Sequence, residues 1–357
     1  MTRSKLVSLE DAVAGIPNGA KLGLGGWIFN SQPMALVRAL IRKGAKNLDL
    51  VPVPSSIAPD LLIGAGCVRS TVCVFISFEQ FGLAPHFRRQ AEAGTLKVHD
   101  LDGPAIAGGL RAAICDLPWM PIPDLGTDLP KHAPDFYRPL PQVPGERKML
   151  AAVAVRPDVC FIHAQQADEH GNVQFMGPPF FDVMLAQASR RVVVSVDRIV
   201  STDTIRRHNH LTKLPAAMVD AVVEAPWGAH PTASPTVYRA DERYLAEYVK
   251  ASAKADAWAA HLQRFVHGAA TQGECHCGKG DQRCGCPCPV KPCRILVGLC
   301  RWGRFRRGRW RGDGWCGARG IDRRFGGRGL ARFCTRRAGR LGAGRSRRAR
   351  RADSAGR

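Results

Sequence analysis

Residues 18–33 read Asn18-Gly-Ala-Lys-Leu-Gly-Leu-Gly-Gly-Trp-Ile-Phe-Asn-Ser-Gln-Pro33, and this stretch decides the fold. Lys21–Leu24 predicts a short strand that runs into Gly25 and Gly26, and Pro33 predicts the start of a helix. Glycines at the end of a strand allow positive φ angles and a close approach of the backbone to a ligand. The amides at the start of the next helix can face an anion. The stretch therefore predicts a strand–turn–helix unit with a candidate binding loop.

A dinucleotide-binding fingerprint, G-x-G-x-x-G, is the competing interpretation of these glycines. Gly23 and Gly25 match its first two glycines, but Ile28 stands where the third is required, so the match fails. Taken alone, the glycine spacing favours a tight turn that binds nothing over a binding loop. At this point the tight turn without a ligand and the binding loop both remain open.

Strand and helix signals alternate on both sides of the glycine stretch. Strands are predicted at residues 48–53, 71–76, 96–101, 149–155, 159–164 and 192–196, and helices at residues 6–16, 83–93, 106–114, 181–188 and 245–266. Such alternation predicts an α/β fold with an open, largely parallel sheet and helices on both faces. A Pro-rich stretch at residues 118–144 is predicted to be a surface excursion of the same domain.

The charge of the chain is concentrated in its last 90 residues. The whole sequence has 52 Lys+Arg and 30 Asp+Glu, a net charge of +22, but residues 268–357 alone hold 24 Lys+Arg and 5 Asp+Glu. Residues 1–267 are therefore nearly neutral. Arg and Gly make up 41 of the last 90 residues, and no helical or strand period survives there. These observations predict a folded domain at 1–267 and a disordered, basic, Arg/Gly/Cys-rich tail at 268–357.

The composition of the tail allows three interpretations. Its cysteines between 275 and 293 suggest zinc, although their C-x-C spacing is not that of a usual finger. Residues 301–310 interleave aromatic and arginine side chains, which suits nucleic-acid binding. Out-of-frame translation of a G/C-rich gene also produces this composition and destroys periodicity, and it is the favoured interpretation. We accordingly predict no metal site and do not expect nucleic acid as a partner.

The first 267 residues have the features of a cytoplasmic protein. They contain four cysteines and no C-x-x-C pair, which fits a reducing compartment. Residues 1–15 carry acidic side chains where a signal peptide requires an apolar run. No stretch approaches the roughly 18–20 uninterrupted apolar residues of a membrane span. The sequence therefore predicts a cytoplasmic location and no membrane partner.

Residues 18–33 also resemble the signature of the family I coenzyme A transferases. In that signature, Asn/Asp-Gly, two residues and three apolar residues precede Gly-Gly-Phe, with Gly-x-Pro close behind. The matching residues are Asn18, Gly19, Leu22, Leu24, Gly25, Gly26 and Pro33, and the departures are Gly23, Trp27 and Ser31. Residues 61–66, 87–94, 161–172 and 219–230 are similar to segments of A (alpha) subunits of the glutaconate CoA-transferase type, in the same order. The resemblance covers about three quarters of the chain.

The resemblance implies an A (alpha) chain that supplies half of an active site. The family's nucleophile is a glutamate of the homologous B (beta) subunit, and no glutamate here has the setting of that nucleophile, so no catalytic residue is expected in this chain. The substrates would be an acyl-CoA and a free carboxylic acid, with dicarboxylic acids among the candidates. Coenzyme A would enter as a thioester substrate, with no permanently bound cofactor. The residues expected to line the pocket are Gly25, Gly26, Trp27, Ser77, Glu79 and Gln165.

Several of these residues have structural alternatives. Glu79 stands near a strand end, where open α/β sheets bind ligands, and it is better suited to lining a pocket or pairing with a cation than to nucleophilic attack. Ser77 can bond a substrate carboxylate or cap the next segment. His163 and Gln165 follow a buried strand and can reach a cleft, but His163 is equally well explained as a core histidine.

Two rival functions stay open. One subfamily of A-like subunits hydrolyses a carbon–carbon bond in a steroid-derived ring CoA ester, and its members carry an acidic residue near the position of Gly103. Here Asp102 is adjacent and Gly103 is not acidic, which counts against that activity. The other rival is a nucleic-acid-binding protein that acts through the basic tail.

Overall fold

The computed structural model describes residues 3–268. The predicted tail, its cysteine cluster and its basic stretch lie outside the described residues. The strands are β1 (Lys21–Leu24), β2 (Leu48–Pro52), β3 (Val68–Cys73), β4 (Lys97–Asp100), β5 (Trp119–Pro123), β6 (Tyr137–Pro139), β7 (Met149–Val153), β8 (Val159–Ala167), β9 (Val173–Gln174), β10 (Val192–Ile199), β11 (Thr212–Leu214) and β12 (Ala221–Glu224).

Ten α-helices are present in the described part of the chain. They are α1 (Leu9–Ala14), α2 (Met34–Arg42), α3 (Ile57–Gly64), α4 (Pro85–Glu92), α5 (Gly103–Ile114), α6 (Leu129–His132), α7 (Asp182–Ala188), α8 (Thr202–Arg207), α9 (Glu242–Ala251) and α10 (Ala255–Leu262). None of the helices within residues 3–268 combines the length and the apolar character of a membrane span.

Seven parallel strands form the centre of the molecule, in the order β4–β3–β2–β1–β8–β10–β12. β9 and β11 extend this sheet as antiparallel strands. Side chains that alternate along a strand point to opposite faces, and each face has its own core. Leu22, Leu24 and Phe161 belong to the core under α1–α3, while Cys160 and Ile162 belong to the core under α5 and α7. The predicted open, largely parallel sheet with helices on both faces is confirmed.

The strand order reverses between β1 and β8. The chain adds β2, β3 and β4 on one side of β1, then crosses over and adds β8, β10 and β12 on the other side. β1 and β8 are paired in register from Leu22↔Val159 to Leu24↔Phe161. Ligands of open α/β sheets bind beyond the carboxyl ends of the strands at such a switch point. The paired glycines Gly25 and Gly26 lie at this switch point because they directly follow β1.

The sequence suggested that the Pro-rich stretch at 118–144 is a surface excursion, but the structure shows more than that. This stretch contributes β5 and β6 to a separate antiparallel sheet of order β5–β7–β6. Ile122 of β5 packs so tightly on α5 that a Cβ on Gly108 would lie 2.7 Å from its Cγ2. Prolines are tolerated because β5 is an edge strand.

The prediction of a single long helix at residues 245–266 is wrong. The structure has α9 and α10 there, and a π-helical turn follows at Gln263–His267. The buried Ser252 ends α9, and its hydroxyl donates to Tyr248 O over 2.8 Å. Side-chain bonds of this kind compete with a continuing helix, and a hydrophobic period alone does not reveal them.

Candidate functional site

A tight glycine turn follows β1 at the switch point. The N–H groups of Trp27 and Asn30 each donate to the carbonyl oxygen of the other over 2.8 Å, which closes the turn. Gly26 has φ 84, and a Cβ there would lie 2.7 Å from Asn30 O and Ser31 O. Ser31, which replaces a glycine of the family signature, has φ 50. Ser31 therefore has a left-handed backbone geometry that serine rarely adopts.

The Asp182 carboxylate anchors this turn from behind, and sequence reasoning missed it. Its Oδ1 accepts the Gly26 N–H over 2.8 Å, and a Cβ on Gly25 would overlap the same oxygen. Asp182 is 1% exposed, and burial raises the pKa of its carboxyl to about 7. The sequence signal that could have revealed this contact is a single acidic residue within the apolar helix pattern of residues 181–188.

The backbone amides of the turn are used within the protein. Gly25 N donates to Phe161 O, Gly26 N to Asp182 Oδ1, Trp27 N to Asn30 O, Ile28 N to Pro54 O, and Ala35 N at the start of α2 to Gly228 O, over 2.8–3.1 Å. Phe29 N has no acceptor within residues 3–268. The glycines therefore fix the path of the loop, and most of its amides do not face a ligand.

Trp27 is part of an aromatic stack next to the switch point. Its ring is stacked on Phe180, with centroids 5.0 Å apart, and runs nearly parallel to Phe181 at 6.2 Å. Trp27 is half-buried, and Phe180 is 43% exposed. The segment that leads into α7 therefore holds the turn through aromatic contacts as well as through Asp182.

Ser77 and Glu79 lie on the same edge of the sheet as the glycine turn. Ser77 N donates to Ser55 O over 3.1 Å, and the Ser55 hydroxyl accepts from Gln32 Nε2 over 3.0 Å, next to the turn. The Ser77 hydroxyl accepts the Glu79 N–H over 3.1 Å, which is the capping contact considered from the sequence. Glu79 is exposed and begins the short 3-10 helix Glu79–Phe81.

Gln165 is buried below the turn and is fully hydrogen-bonded. Its Nε2 donates to Ser234 Oγ over 3.1 Å and lies 3.4 Å from Ser31 Oγ. Its Oε1 accepts Met176 N over 2.8 Å. Gln165 is 1% exposed, so it ties three loops together at the carboxyl end of β8.

His163 is a core histidine. Its Nδ1 is 3.0 Å from Ser195 Oγ, and its Nε2 is 3.3 Å from Asp197 Oδ2. Asp197 also accepts the Ser234 hydroxyl over 2.5 Å and the Trp227 N–H over 3.0 Å. Asp197 was not singled out from the sequence, although it directly follows the strand predicted at residues 192–196.

Residues 227–238 also hold the glycine turn through backbone hydrogen bonds. Ser31 N donates to Ala233 O, and Ala233 N donates to Phe29 O, each over 2.7 Å. His230 in this segment bonds Asp241 Oδ2 over 2.9 Å, and burial lowers its pKa to about 4. Within residues 3–268, no group of three or more His, Cys, Asp or Glu side chains is arranged to hold a metal ion.

The sequence profile of the family described as Coenzyme A transferase matches residues 6–225. The chain belongs to this family. It is 31% identical to the A (alpha) chain of the glutaconate CoA-transferase of Acidaminococcus fermentans over 282 residues, which cover 74% of this chain and 88% of that protein. The crystal structure of that transferase superposes with a TM-score of 0.70 at 30% identity, covering 76% of this chain and 92% of that one. The predicted resemblance is confirmed.

Other relatives with the same fold have different names. A cholesterol ring-cleaving hydrolase IpdA subunit of Rhodococcus jostii is 34% identical over 278 residues, which cover 74% of this chain and 93% of that protein. The decarboxylase AibA/AibB, solved as a variant, superposes with a TM-score of 0.66 at 34% identity, covering 74% of this chain and 100% of that one. Membership of the family is therefore compatible with more than one reaction.

Proposed function

We propose that this chain is the A (alpha) component of a heteromeric, cytoplasmic CoA-transferase that moves CoA between an acyl-CoA and a free carboxylic acid. Dicarboxylic acids are among the candidate acids. The glycine turn at the switch point carries this proposal, because it combines the transferase signature with a ligand-binding position in the fold. Its transferase relative at 31% identity supports the same reaction.

The proposed reaction needs a carboxylate nucleophile, which we assign to a glutamate of a homologous B subunit. That carboxylate attacks the thioester carbonyl, which forms an acyl-glutamyl anhydride and releases the CoA thiolate. The thiolate then attacks the glutamyl carbonyl, which forms a glutamyl-CoA thioester and frees the first acid. The same steps in reverse load the second acid. No net redox change or hydrolysis occurs, so no permanently bound cofactor is required.

This chain would supply the wall opposite the nucleophile. Gly25, Gly26 and Trp27 would form the surface against which the acyl group lies. Ser77 and Glu79 would line the neighbouring part of the cleft, where the Ser77 hydroxyl can donate to a substrate carboxylate. Gln165 would act below the surface, because all its polar atoms already bond protein groups.

Exposed apolar side chains support a subunit interface beside this wall. Phe75, Leu83, Phe180 and Val237 are 38–59% exposed and follow strands or loops at the carboxyl edge of the sheet. Exposed apolar groups that cluster near a site mark interaction surfaces. A B subunit that covers them would also exclude water from the thioester.

The test is acceptor-dependent exchange in the complex of this chain with its B subunit. Transfer of CoA from an acyl-CoA to an added acid, with no free CoA accumulating, is the expected result. Trp27→Ala is expected to lower kcat/KM, because the wall loses its aromatic surface. Thioester consumption that does not depend on an added acid would contradict the proposal.

A ring-cleaving hydrolase component is the second candidate, because relatives at 33–34% identity carry that name. Gly103 is not acidic, and the neighbouring Asp102 has a structural contact: its Oδ1 accepts Ala105 N over 2.7 Å and caps α5. Acid-independent cleavage of a carbon–carbon bond in a ring CoA ester would favour this candidate over the transferase.

A further inference from the structure

We infer that Asp182 is a positioning residue, which holds the glycine turn in its working geometry through the Gly26 amide. The inference rests on the proposed function, since it assumes that the turn forms the wall of the thioester-exchange site. Asp182 itself is only 1% exposed, so we do not expect it to touch the substrate. It acts through the backbone that it binds.

Two glycines, Gly23 and Gly25, leave room for side chains of α7, and a third, Gly26, donates its N–H to that helix. A Cβ on Gly23 would lie 2.9 Å from Leu185 Cδ1, and a Cβ on Gly25 would overlap Asp182 Oδ1. The Gly26 N–H points at the same carboxylate oxygen over 2.8 Å. Gly23 is a departure from the family signature, and here it makes room for Leu185 of α7. The lack of a side chain at positions 23 and 25 is therefore explained by the contact with α7.

The aromatic stack gives an independent observation at the same junction. Phe180 and Phe181 directly precede Asp182, and both rings lie nearly parallel to Trp27. The first turn of α7 and the residues before it thus contact two consecutive residues of the glycine turn, one through a hydrogen bond and one through ring stacking. A shift of α7 relative to β1 would displace Gly26 and Trp27 together.

The chemistry of the anchor depends on its protonation. Burial raises the pKa of Asp182 to about 7, and an ionised carboxylate accepts an amide hydrogen bond more strongly than a neutral acid. The Cys160 thiol of β8 interacts with the Asp182 charge, but burial raises its pKa to about 12, so it stays neutral. The Gly26 contact is therefore expected to tighten as the pH rises through 7.

The experiment compares Asp182→Ala and Asp182→Asn in the complex with the B subunit. We expect Asp182→Ala to lower kcat on the order of 100-fold, because a displacement of about 1 Å at a reaction site has this effect, and to change KM much less. Asp182→Asn keeps an acceptor for Gly26, so most of kcat should return. Its kcat should lack the rise through pH 7 that the wild type shows. Coincident pH profiles of Asp182→Asn and wild type would overturn the inference.

A matched control separates positioning from general destabilisation. Asp60 is a fully buried carboxylate with a pKa also raised to about 7 by burial, but it caps α4. Asp60→Ala is expected to lower the melting temperature and to leave kcat within about twofold of the wild type. An equal loss of kcat in Asp60→Ala and Asp182→Ala would overturn the positioning role.

Hydrogen–deuterium exchange of the full chain tests the anchor without the partner. Asp182→Ala should speed exchange of the Gly26 amide while the β1 amides stay protected, and Asp60→Ala should leave Gly26 unchanged. If the wild-type complex shows no thioester exchange, the proposed function fails while this measurement still decides the anchor. If exchange activity is present and Gly26 protection does not change in Asp182→Ala, the anchor alone fails.

Discussion

At the scale of single residues, Gly25 and Asp182 explain each other. The carboxylate is accommodated because Gly25 has no Cβ, and the turn is held because the carboxylate accepts the Gly26 N–H. The glycines could be recognised in the sequence because they directly follow a predicted strand, where a side chain would hinder a tight turn. Asp182 could not be recognised, because its partner lies 156 residues earlier in the chain.

Gly25→Ala is expected to destabilise the protein by about 2 kcal/mol or more and to abolish activity, because the new methyl group would overlap Asp182 Oδ1. Chemical denaturation and acceptor-dependent CoA exchange measure the two effects. Gly103→Ala is the matched control, since a Cβ there meets nothing within 4 Å and needs no positive φ. Equal stability of the two variants would contradict the tight contact.

A second residue-scale prediction concerns Asp60. Burial raises the pKa of this carboxyl from 3.8 to about 7. Between these values the folded protein holds a proton that the unfolded chain has lost. Stability therefore falls as the pH rises from about 4 to 7 and then levels off. Asp60→Asn should lose less stability than the wild type between pH 5 and 8 in urea titrations. An identical loss in both proteins would show that Asp60 does not titrate in this way.

At the scale of elements, the paired helices α9 and α10 are fastened to α3 and α4 by a few polar contacts. The Tyr248 hydroxyl donates to Asp60 Oδ2 over 2.8 Å, and Trp258 Nε1 donates to Gly64 O over 2.9 Å. Gly64 permits this approach, since a Cβ there would lie 2.7 Å from the Trp258 ring. Aromatic and apolar packing surrounds both contacts.

Tyr248→Phe is expected to cost about 1–3 kcal/mol of unfolding free energy, because it leaves a buried oxygen of Asp60 without its donor. Urea denaturation at pH 8, where Asp60 is ionised, measures the effect. In the Asp60→Asn background the same substitution should cost less, which makes a double-mutant cycle the control. Strict additivity of the two substitutions would argue against the contact.

Much of the central sheet could be predicted because its strands are short apolar, β-branched runs between turn residues. The departures have local physical causes. Prolines concealed β5, which tolerates them at a sheet edge. Pro59 lies inside α3, where the first turn accepts it, and no helix was expected there from the sequence. The brace from residues 227–238 and the Asp182 anchor depend on long-range contacts that a single sequence does not display.

At the scale of the whole molecule, charge is divided sharply along the chain. A chain that ends after Gly268 loses almost all of the net charge of +22. We expect it to keep the melting temperature of the full chain, and any nonspecific, salt-dependent binding of DNA by the full chain should disappear with the basic groups. Isothermal titration of both chains with duplex DNA at two salt concentrations provides the comparison. Undiminished, salt-sensitive binding by the short chain would place nucleic-acid recognition in the folded domain.

The central claim, that this chain forms a wall for a carboxylate of another subunit, is tested most directly by intact-mass spectrometry of the complex. After incubation with acyl-CoA alone, the B subunit is predicted to gain the mass of CoA less one water, as a thioester that borohydride removes, while this chain gains none. A CoA adduct on this chain, or full turnover of acyl-CoA by this chain without a partner, would contradict the account.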